Sequence, residues 1–268
     1  MHPMLNIAVR AARSAGAIIT RYANQVDTLT ITEKTHNDFV SEVDRQAEQA
    51  IIQVIRKAYP HHGILAEESG ASEGDDYQWI IDPLDGTTNF LYGFPQFAIS
   101  IALRHKGRLE QAVIYDPLRE ELFTATRGSG AALNNRRIRV GKRPSLDGAL
   151  IGTGIPFRES QMRWLDAYCE MMKALIPGSA GIRRAGSAAL DLAYVAAGRL
   201  DGFWELDLNL WDIAAGVLLI EEAGGLVSGI DGRPDHLETG HVVTANPRIF
   251  KAMLQKIRPL LPADLKSS

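Results

Sequence analysis

Two aspartates three residues apart lie in the stretch Asp82-Pro83-Leu84-Asp85-Gly86-Thr87-Thr88-Asn89, directly after the apolar run 79–81. Carboxylates supply the hard oxygen ligands that magnesium prefers. The glycine lets the backbone approach an anion, and N–H groups exposed at such a turn bind phosphate. A cation site beside a phosphate site on one short loop indicates phosphoryl chemistry.

Further acidic residues stand where predicted elements end. Glu67 follows the apolar run 64–66, and Asp212 follows Trp211 at the start of a predicted helix. Carboxylates at the ends of rigid elements can converge from distant segments. For an isolated acid we favour a helix cap or a solvated surface charge. For the closely spaced aspartate pair we favour a site.

The composition is that of an ordinary globular protein. Of 268 residues, 46% are hydrophobic and 23% are charged, and the net charge is -3. This charge provides no overall attraction to nucleic acid or to an anionic membrane. The N-terminus lacks a basic segment followed by a long apolar core, and no apolar run reaches about 18 residues. We therefore expect a cytoplasmic protein without a membrane span.

The single cysteine, Cys169, excludes an intrachain disulfide and fits a reducing compartment. It shares helical spacing with Leu165, Met172 and Ile176, which predicts that it is buried on an apolar helix face.

Hydrophobic periodicity predicts two helices before the aspartate pair, over residues 5–22 and 44–59. Short strands follow, near residues 64–66, 79–81, 97–103, 112–115 and 122–125, with turns between several of them. Their short connections favour an antiparallel or mixed sheet. After Pro144 the pattern alternates between strands and helices, including a helix over 161–176, which indicates a second sheet.

The motifs also carry a family resemblance. Residues 82–90, with 211–216 and 222–225, resemble the two signature motifs of the inositol monophosphatase family. Residues 66–69 are similar to its first metal-ligand segment, and residues 34–44, which include Asp38-Phe39-Val40-Ser41, to its N-terminal motif. The resemblance covers essentially the whole chain, and residues 184–194 are most similar to the bacterial, suppressor-type branch.

The resemblance implies an α+β fold, a layered αβαβα sandwich. It implies one domain over residues 1–268, with an antiparallel-rich N-terminal half (about 1–143) and a second sheet in the C-terminal half (about 144–268). It further implies a homodimer and a lithium-sensitive, magnesium-dependent phosphatase. That enzyme would hydrolyse inositol 1-phosphate by direct attack of a metal-activated water.

The family's site residues carry over by position. Two to three Mg²⁺ ions would be held by Glu67, Asp82, the Leu84 carbonyl, Asp85 and Asp212. Phosphate would meet the N–H groups of Gly86 and Thr87. The hydroxyl of Thr87, oriented by Asp44 and assisted by Glu67, would relay a proton. The polyol would contact Asp85, Ser187, Ala188 and Glu205.

Two alternatives stay open. The same hydrolysis could act on histidinol phosphate, a sugar bisphosphate or a nucleotide 3'-phosphate, because Asp207 adds a carboxylate where the family more usually has glycine. A mainly regulatory contact with RNA or the transcription machinery is the other alternative. The basic segment 136–143 motivates it, although such a run is usually a solvated edge strand.

Overall fold

The computed structural model describes residues 2–23, 31–35 and 38–266, and for residues 31–35 and 38–41 it describes the backbone alone. The helices are α1 Pro3–Tyr22, α2 Glu42–Ala58, α3 Thr87–Leu91, α4 Leu165–Leu175, α5 Ala188–Ala196, α6 Leu210–Glu222, α7 His236–Thr239, α8 Pro247–Ile257 and α9 Ala263–Lys266. The strands are β1 Ile31–Thr35, β2 Asp38–Ser41, β3 Gly63–Ala66, β4 Gly70–Ser72, β5 Tyr77–Asp85, β6 Ala98–His105, β7 Arg108–Asp116, β8 Glu121–Thr126, β9 Gly130–Leu133, β10 Arg136–Arg137, β11 Leu150–Thr153, β12 Gly181–Arg183, β13 Gly202–Glu205, β14 Leu226–Ser228 and β15 Val242–Ala245.

Among the described residues, one sheet has eight strands in the order β10-β9-β8-β7-β6-β5-β3-β4, and a second has five in the order β12-β11-β13-β15-β14. The first sheet is antiparallel except for the parallel pair β3 and β5. The second is mixed, because β11 runs parallel to β12 and β13 whereas β15 is antiparallel to its neighbours. The expected antiparallel or mixed sheet and the expected second sheet are therefore confirmed.

Three apolar cores bind these elements into five layers. The first lies between the helix pair α1 and α2 and one face of the eight-stranded sheet. The second lies between the opposite face of that sheet and the helix pair α5 and α6, which also touches the second sheet. The third covers the outer face of the five-stranded sheet with α4 and α8. This arrangement is the predicted αβαβα sandwich.

The amphipathic pattern explains why α1 and α2 pack on the sheet. Ala8, Ala12, Ala15 and Ile19 of α1 are fully or almost fully buried, as their helical spacing predicts. The small side chains let α1 lie close to its neighbours; a methyl group added at Gly16 would come within 2.7 Å of the Tyr115 ring.

The acidic segment was expected as a loop after a short strand, and this is wrong. Strand β5 continues to its end at Asp85, and Asp82 pairs with Ser100 while Asp85 pairs with Ala98. Three residue steps on β5 thus face two on β6, so the register shifts within the segment. Pro83 sits inside this irregularity, which is where a strand tolerates a residue without an N–H group.

Two other local expectations need correction. Cys169 is exposed, because α4 buries the face that carries Tyr168, Met171 and Leu175 instead. The helix expected over 161–176 is divided, with a 3₁₀ segment Glu159–Trp164 preceding α4.

The basic segment contains only the short edge strand β10, whose two arginines are exposed. The apolar character and length needed to cross a bilayer are combined in none of the described helices.

Candidate active site

A cavity of about 430 Å³ opens where the ends of β3, β5, β11 and β13 meet the first turns of α3, α5 and α6. Its lining includes Glu67, Asp82, Leu84, Asp85, Gly86, Thr87, Ser187, Ala188, Glu205 and Asp212. These are all the predicted site residues except Asp44, which is fully buried behind Thr87. Residues scattered over most of the chain are therefore brought to one place.

The irregular end of β5 orients the two aspartates differently. Asp82 is 2% exposed, and its Oδ1 accepts a hydrogen bond from the Leu84 amide at 3.0 Å. Asp85 reaches the N-terminus of α5, where its Oδ2 accepts from the Ser187 hydroxyl at 2.5 Å and from the Ala189 amide at 2.8 Å. Asp85 thus joins the first sheet to a helix of the middle layer.

Asp212 is placed by the start of α6. Its Oδ2 accepts a hydrogen bond from the amide of Asn209, the residue that caps this helix, at 2.7 Å. The Ser100 hydroxyl donates to the Trp211 carbonyl at 3.1 Å. Because Ser100 is the strand partner of Asp82, this bond ties the helix start to the acidic end of β5.

Burial and mutual repulsion dominate the electrostatics of this cluster. Burial, followed by the charges of Glu67, Asp85 and Asp212, raises the pKa of Asp82 well above its usual value. Burial also raises the pKa of Asp212 well above normal, with further contributions from Asp85 and Glu67. The pKa of Asp85 rises to about 6 through burial, although its hydrogen bonds oppose the shift.

The cluster has the donor chemistry of a hard-cation site. Its carboxylate oxygens suit magnesium. A bound cation would favour the charged forms of these acids, against the burial that raises their pKa values. Within the described residues, however, no three His, Cys, Asp or Glu side chains are grouped so that they could hold an ion as they stand. Three of the carboxylates, those of Asp82, Asp85 and Asp212, accept hydrogen bonds from neighbouring backbone or hydroxyl groups.

Thr87 connects the anion-binding turn to α2. Its hydroxyl lies 2.8 Å from Asp44 Oδ1 and 3.0 Å from the Leu84 carbonyl. The preceding Gly86 has φ +96°, a conformation that favours glycine. A methyl group there would also come within 2.9 Å of the Gln96 carbonyl. The first turn of α3 leaves N–H groups without partners inside the helix, as the predicted phosphate contact requires.

Glu205 also lines the cavity, from the end of β13. Burial raises its pKa to about 8; Arg184 and Arg158 lower it, and Asp85 raises it. Ser187 and Ala188 lie at the start of α5, with Ser187 as the N-cap. Because Ser187 donates to Asp85, the start of α5 is tied to the acidic cluster.

Sequence reasoning missed Asp191, Arg158 and Arg184, which also line the cavity. Asp191 is 2% exposed, and burial, followed by the charges of Glu205 and Asp85, raises its pKa well above normal. Its position four residues after Ser187, one helical turn away, was the available signal. Both arginines approach the Phe157 ring, at 5.6 and 5.9 Å.

Asp207 does not appear in the lining of this cavity. It adopts φ +61°, and its amide donates to His241 Nδ1 at 3.0 Å. The family's usual glycine therefore has a conformational reason. In the N-terminal motif, residues 36 and 37 and the side chains of residues 34, 35 and 38–41 lie outside the described part of the chain.

Comparison with known proteins identifies the family of the chain. Residues 1–261 match the model of the inositol monophosphatase family. The Nus factor SuhB of Pseudomonas aeruginosa is 58% identical over 270 residues, covering 99% of this chain and 100% of the relative. The Nus factor SuhB of Escherichia coli K12 is 54% identical over 268 residues, with coverage of 99% and 100%.

Solved structures give the same result. The extragenic suppressor protein SuhB from Bartonella henselae superposes with a TM-score of 0.93 at 43% identity, covering 96% of this chain and 99% of that one. The inositol monophosphatase from Anabaena has a TM-score of 0.84 at 38% identity, with 97% of each chain covered. With the sequence motifs, the five-layer fold and the acidic cavity in agreement, the chain belongs to the inositol monophosphatase family.

Proposed function

We propose that the protein is a magnesium-dependent phosphomonoesterase that hydrolyses inositol 1-phosphate to inositol and phosphate. The observation that carries this proposal is the convergence of Glu67, Asp82, Asp85 and Asp212 in one cavity with the turn at Gly86 and Thr87. A phosphate monoester is a dianion near neutral pH, so carboxylates alone would repel it. A cation between the two removes that repulsion.

Magnesium ions held by these carboxylates and the Leu84 carbonyl would neutralise the substrate and supply Lewis acidity to the attacking water and the departing oxygen. The protein's own residues do the rest. The backbone N–H groups of Gly86 and Thr87 hold the phosphate, which fixes its orientation for in-line attack. The Thr87 hydroxyl accepts the proton of the water while passing its own to Asp44, 2.8 Å away, and Glu67 assists.

The alcohol side of the substrate faces Glu205, Ser187, Ala188 and Asp85. Burial raises the pKa of Glu205 to about 8, so its protonated carboxyl can donate to a polyol oxygen as well as accept from a hydroxyl. Polar groups that pair with substrate hydroxyls discriminate strongly against analogues that lack them. This end of the cavity therefore selects the leaving group.

The test is phosphate release from a substrate panel containing inositol 1-phosphate, histidinol phosphate, a sugar bisphosphate and a nucleotide 3'-phosphate. We expect magnesium-dependent turnover, fastest with inositol 1-phosphate and inhibited by lithium. Asp85→Asn should abolish turnover while the fold persists, whereas Asp166→Asn, at an exposed acid on α4, should not. Near-normal turnover in folded Asp85→Asn would contradict the mechanism. Rapid phosphate release from another panel member, with negligible release from inositol 1-phosphate, would show that the proposed substrate is wrong.

A second candidate function is contact with the transcription machinery, in transcription antitermination. Relatives named Nus factor SuhB are 58% and 54% identical to this chain, and the exposed arginines of β10 lie at a sheet edge. Cells that carry only Asp85→Asn separate the two functions. Full rescue of a deletion phenotype favours contact with a partner in the cytoplasm, and failure favours catalysis.

The homodimer that the family resemblance implies is also part of the proposal. Light scattering of the full chain at micromolar concentration should give twice the mass of 29.4 kDa. A monomer under those conditions would remove the dimer from the proposal and leave the catalytic site, which is built within one chain, unaffected.

A further inference from the structure

One buried acid of α2 lies outside the cavity and has no role in the proposed chemistry. Glu48 is 2% exposed. Its Oε2 accepts a hydrogen bond from the Glu68 amide at 2.8 Å, and its Oε1 accepts from the Ser69 amide at 2.9 Å. Each oxygen of the carboxyl group is thus bound to one of two successive backbone N–H groups, 20 and 21 residues further along the chain.

The segment held in this way directly follows Glu67. The Glu67 amide donates to the Ile81 carbonyl at 3.1 Å, and Ile81 immediately precedes Asp82 on β5. Three consecutive amides, at residues 67 to 69, are therefore anchored to two different elements. The first is fixed against β5 and the next two against α2, so the backbone that carries the Glu67 carboxylate has little freedom to move.

Glu48 also shares a helix face with Asp44, because residues four apart lie one above the other on a helix. Asp44 binds the Thr87 hydroxyl at 2.8 Å, while Glu48 binds the amides after Glu67. One side of α2 therefore contacts both the anion-binding turn and the segment after β3. Both residues are buried, and the helix itself is fixed by the apolar core that it forms with α1 and the sheet.

We propose that Glu48 is a positioning residue that sets the cation affinity of the site by fixing the two backbone amides that directly follow Glu67. The inference deepens the proposed function and rests on it for the identity of the cation. A carboxylate that must bind an ion is most effective when its backbone is already in place, because the ordering cost is then not subtracted from the binding free energy. Partners that orient ligands commonly change metal affinity by 10–100-fold when mutated.

The experiment uses Glu48→Gln in the full chain. The amide side chain keeps the shape, but its NH₂ group opposes one backbone N–H, so one hydrogen bond is lost and two donors face each other. Calorimetric titration of the metal-free protein with Mg²⁺ should show affinity weaker by about tenfold. Amide hydrogen exchange should accelerate at Glu68 and Ser69, and turnover should recover toward wild type at high magnesium.

Glu42→Gln is the matched control, because Glu42 is an exposed acid on the same helix. It should leave the magnesium affinity and the exchange rates unchanged. Glu48→Asp provides a second variant that keeps the carboxylate but shortens its reach by one methylene, and we expect an affinity between those of Glu48→Gln and wild type. If Glu48→Gln does not fold, this variant decides the question.

A purely structural role for Glu48 would lower the melting temperature and leave the magnesium affinity within twofold of wild type. That result in folded variants, or unchanged exchange at Glu68 and Ser69, would overturn the inference. Neither readout uses a substrate. If the wild-type protein binds magnesium but hydrolyses no phosphomonoester, the proposed function fails, while a weakened affinity in the Glu48 variants still supports the positioning role.

Discussion

The Thr87 hydroxyl lies 2.8 Å from Asp44 Oδ1, across 43 positions of sequence. The same hydroxyl lies 3.0 Å from the Leu84 carbonyl. A hydroxyl has one proton and two lone pairs, so it donates to one of these acceptors at a time and keeps acceptor capacity for a proton from water. This geometry fits a relay between the cavity and the buried carboxyl of α2.

Replacing Thr87 by Val removes the hydroxyl and preserves the side-chain shape. We expect kcat to fall by about 10²-fold or more, the usual contribution of a positioned proton-transfer group, with a smaller change in KM. Thr87→Ser keeps the hydroxyl and should retain most of the activity. Steady-state kinetics of the two variants at saturating magnesium make the comparison, and a kcat within threefold of wild type for Thr87→Val would rule out the relay.

Gly154 makes room for the carboxyl group of Glu205. A methyl group at this position would lie 1.7 Å from Glu205 Oε1, so Gly154→Ala should displace that side chain from the polyol end of the cavity. We expect KM for inositol 1-phosphate to rise by about tenfold, comparable to the loss of one hydrogen bond to substrate. Gly63→Ala is the control, because its added methyl would meet the Ser72 carbonyl at an ordinary 3.4 Å.

Glu205 should make the stability of the metal-free protein depend on pH. Burial raises its pKa from 4.5 to about 8, so the folded state binds this proton more tightly than the unfolded chain. The stabilisation is complete below about pH 4.5 and is lost as the pH rises through about 8.

Glu205→Gln mimics the protonated acid and should flatten the fall in stability between pH 5 and pH 8. Urea unfolding of the metal-free proteins across this range measures the effect, with Glu159→Gln, at an exposed acid, as the control. Parallel curves for wild type and Glu205→Gln would show that the Glu205 proton is not bound more tightly in the folded state.

Substitutions at Asp207 can separate the effect of its backbone conformation from the effect of its charge. Its φ of +61° is unfavourable for alanine and easily adopted by glycine. We expect Asp207→Ala to be less stable than Asp207→Gly by about 1 kcal/mol, measured by urea unfolding.

Both substitutions remove the carboxylate. Since Asp207 is absent from the cavity lining, both should leave the order of preference across the substrate panel unchanged. A reordered preference in both variants would show that this charge acts on the substrate after all.

Much of the fold could be predicted from periodicity. The helices α1 and α2 agree with their predicted ranges to within a few residues, because each has an apolar face that must be buried. The predicted burial of Cys169 is wrong because α4 has apolar residues on two sides. Packing against α8 and the five-stranded sheet buries the side that carries Tyr168 and Met171.

The candidate site was likewise predictable in part from the sequence. Its residue types follow from local motifs, since a carboxylate pair, a glycine and a threonine in that order indicate cation and phosphate chemistry whatever surrounds them. Glu48 and the two arginines could not be identified in this way, and helical spacing from Ser187 was the only signal for Asp191, because an acid or a base in a helix or loop is ordinarily a surface residue. The burial of Asp191 and Glu48, and the contacts of all four residues, depend on segments far away in the sequence.

The sequence by itself determined the family, and its motifs implied the reaction class and identified Glu67, Asp82, Asp85 and Asp212, which line one cavity. Only the tertiary structure decided that Asp82 and Asp85 lie on an irregular strand end rather than in a loop, and that α2 supports Thr87 and the segment after Glu67 from one face. The physical reason is that side-chain chemistry is a local property, whereas strand register, burial and hydrogen-bond partners arise only when distant segments pack together.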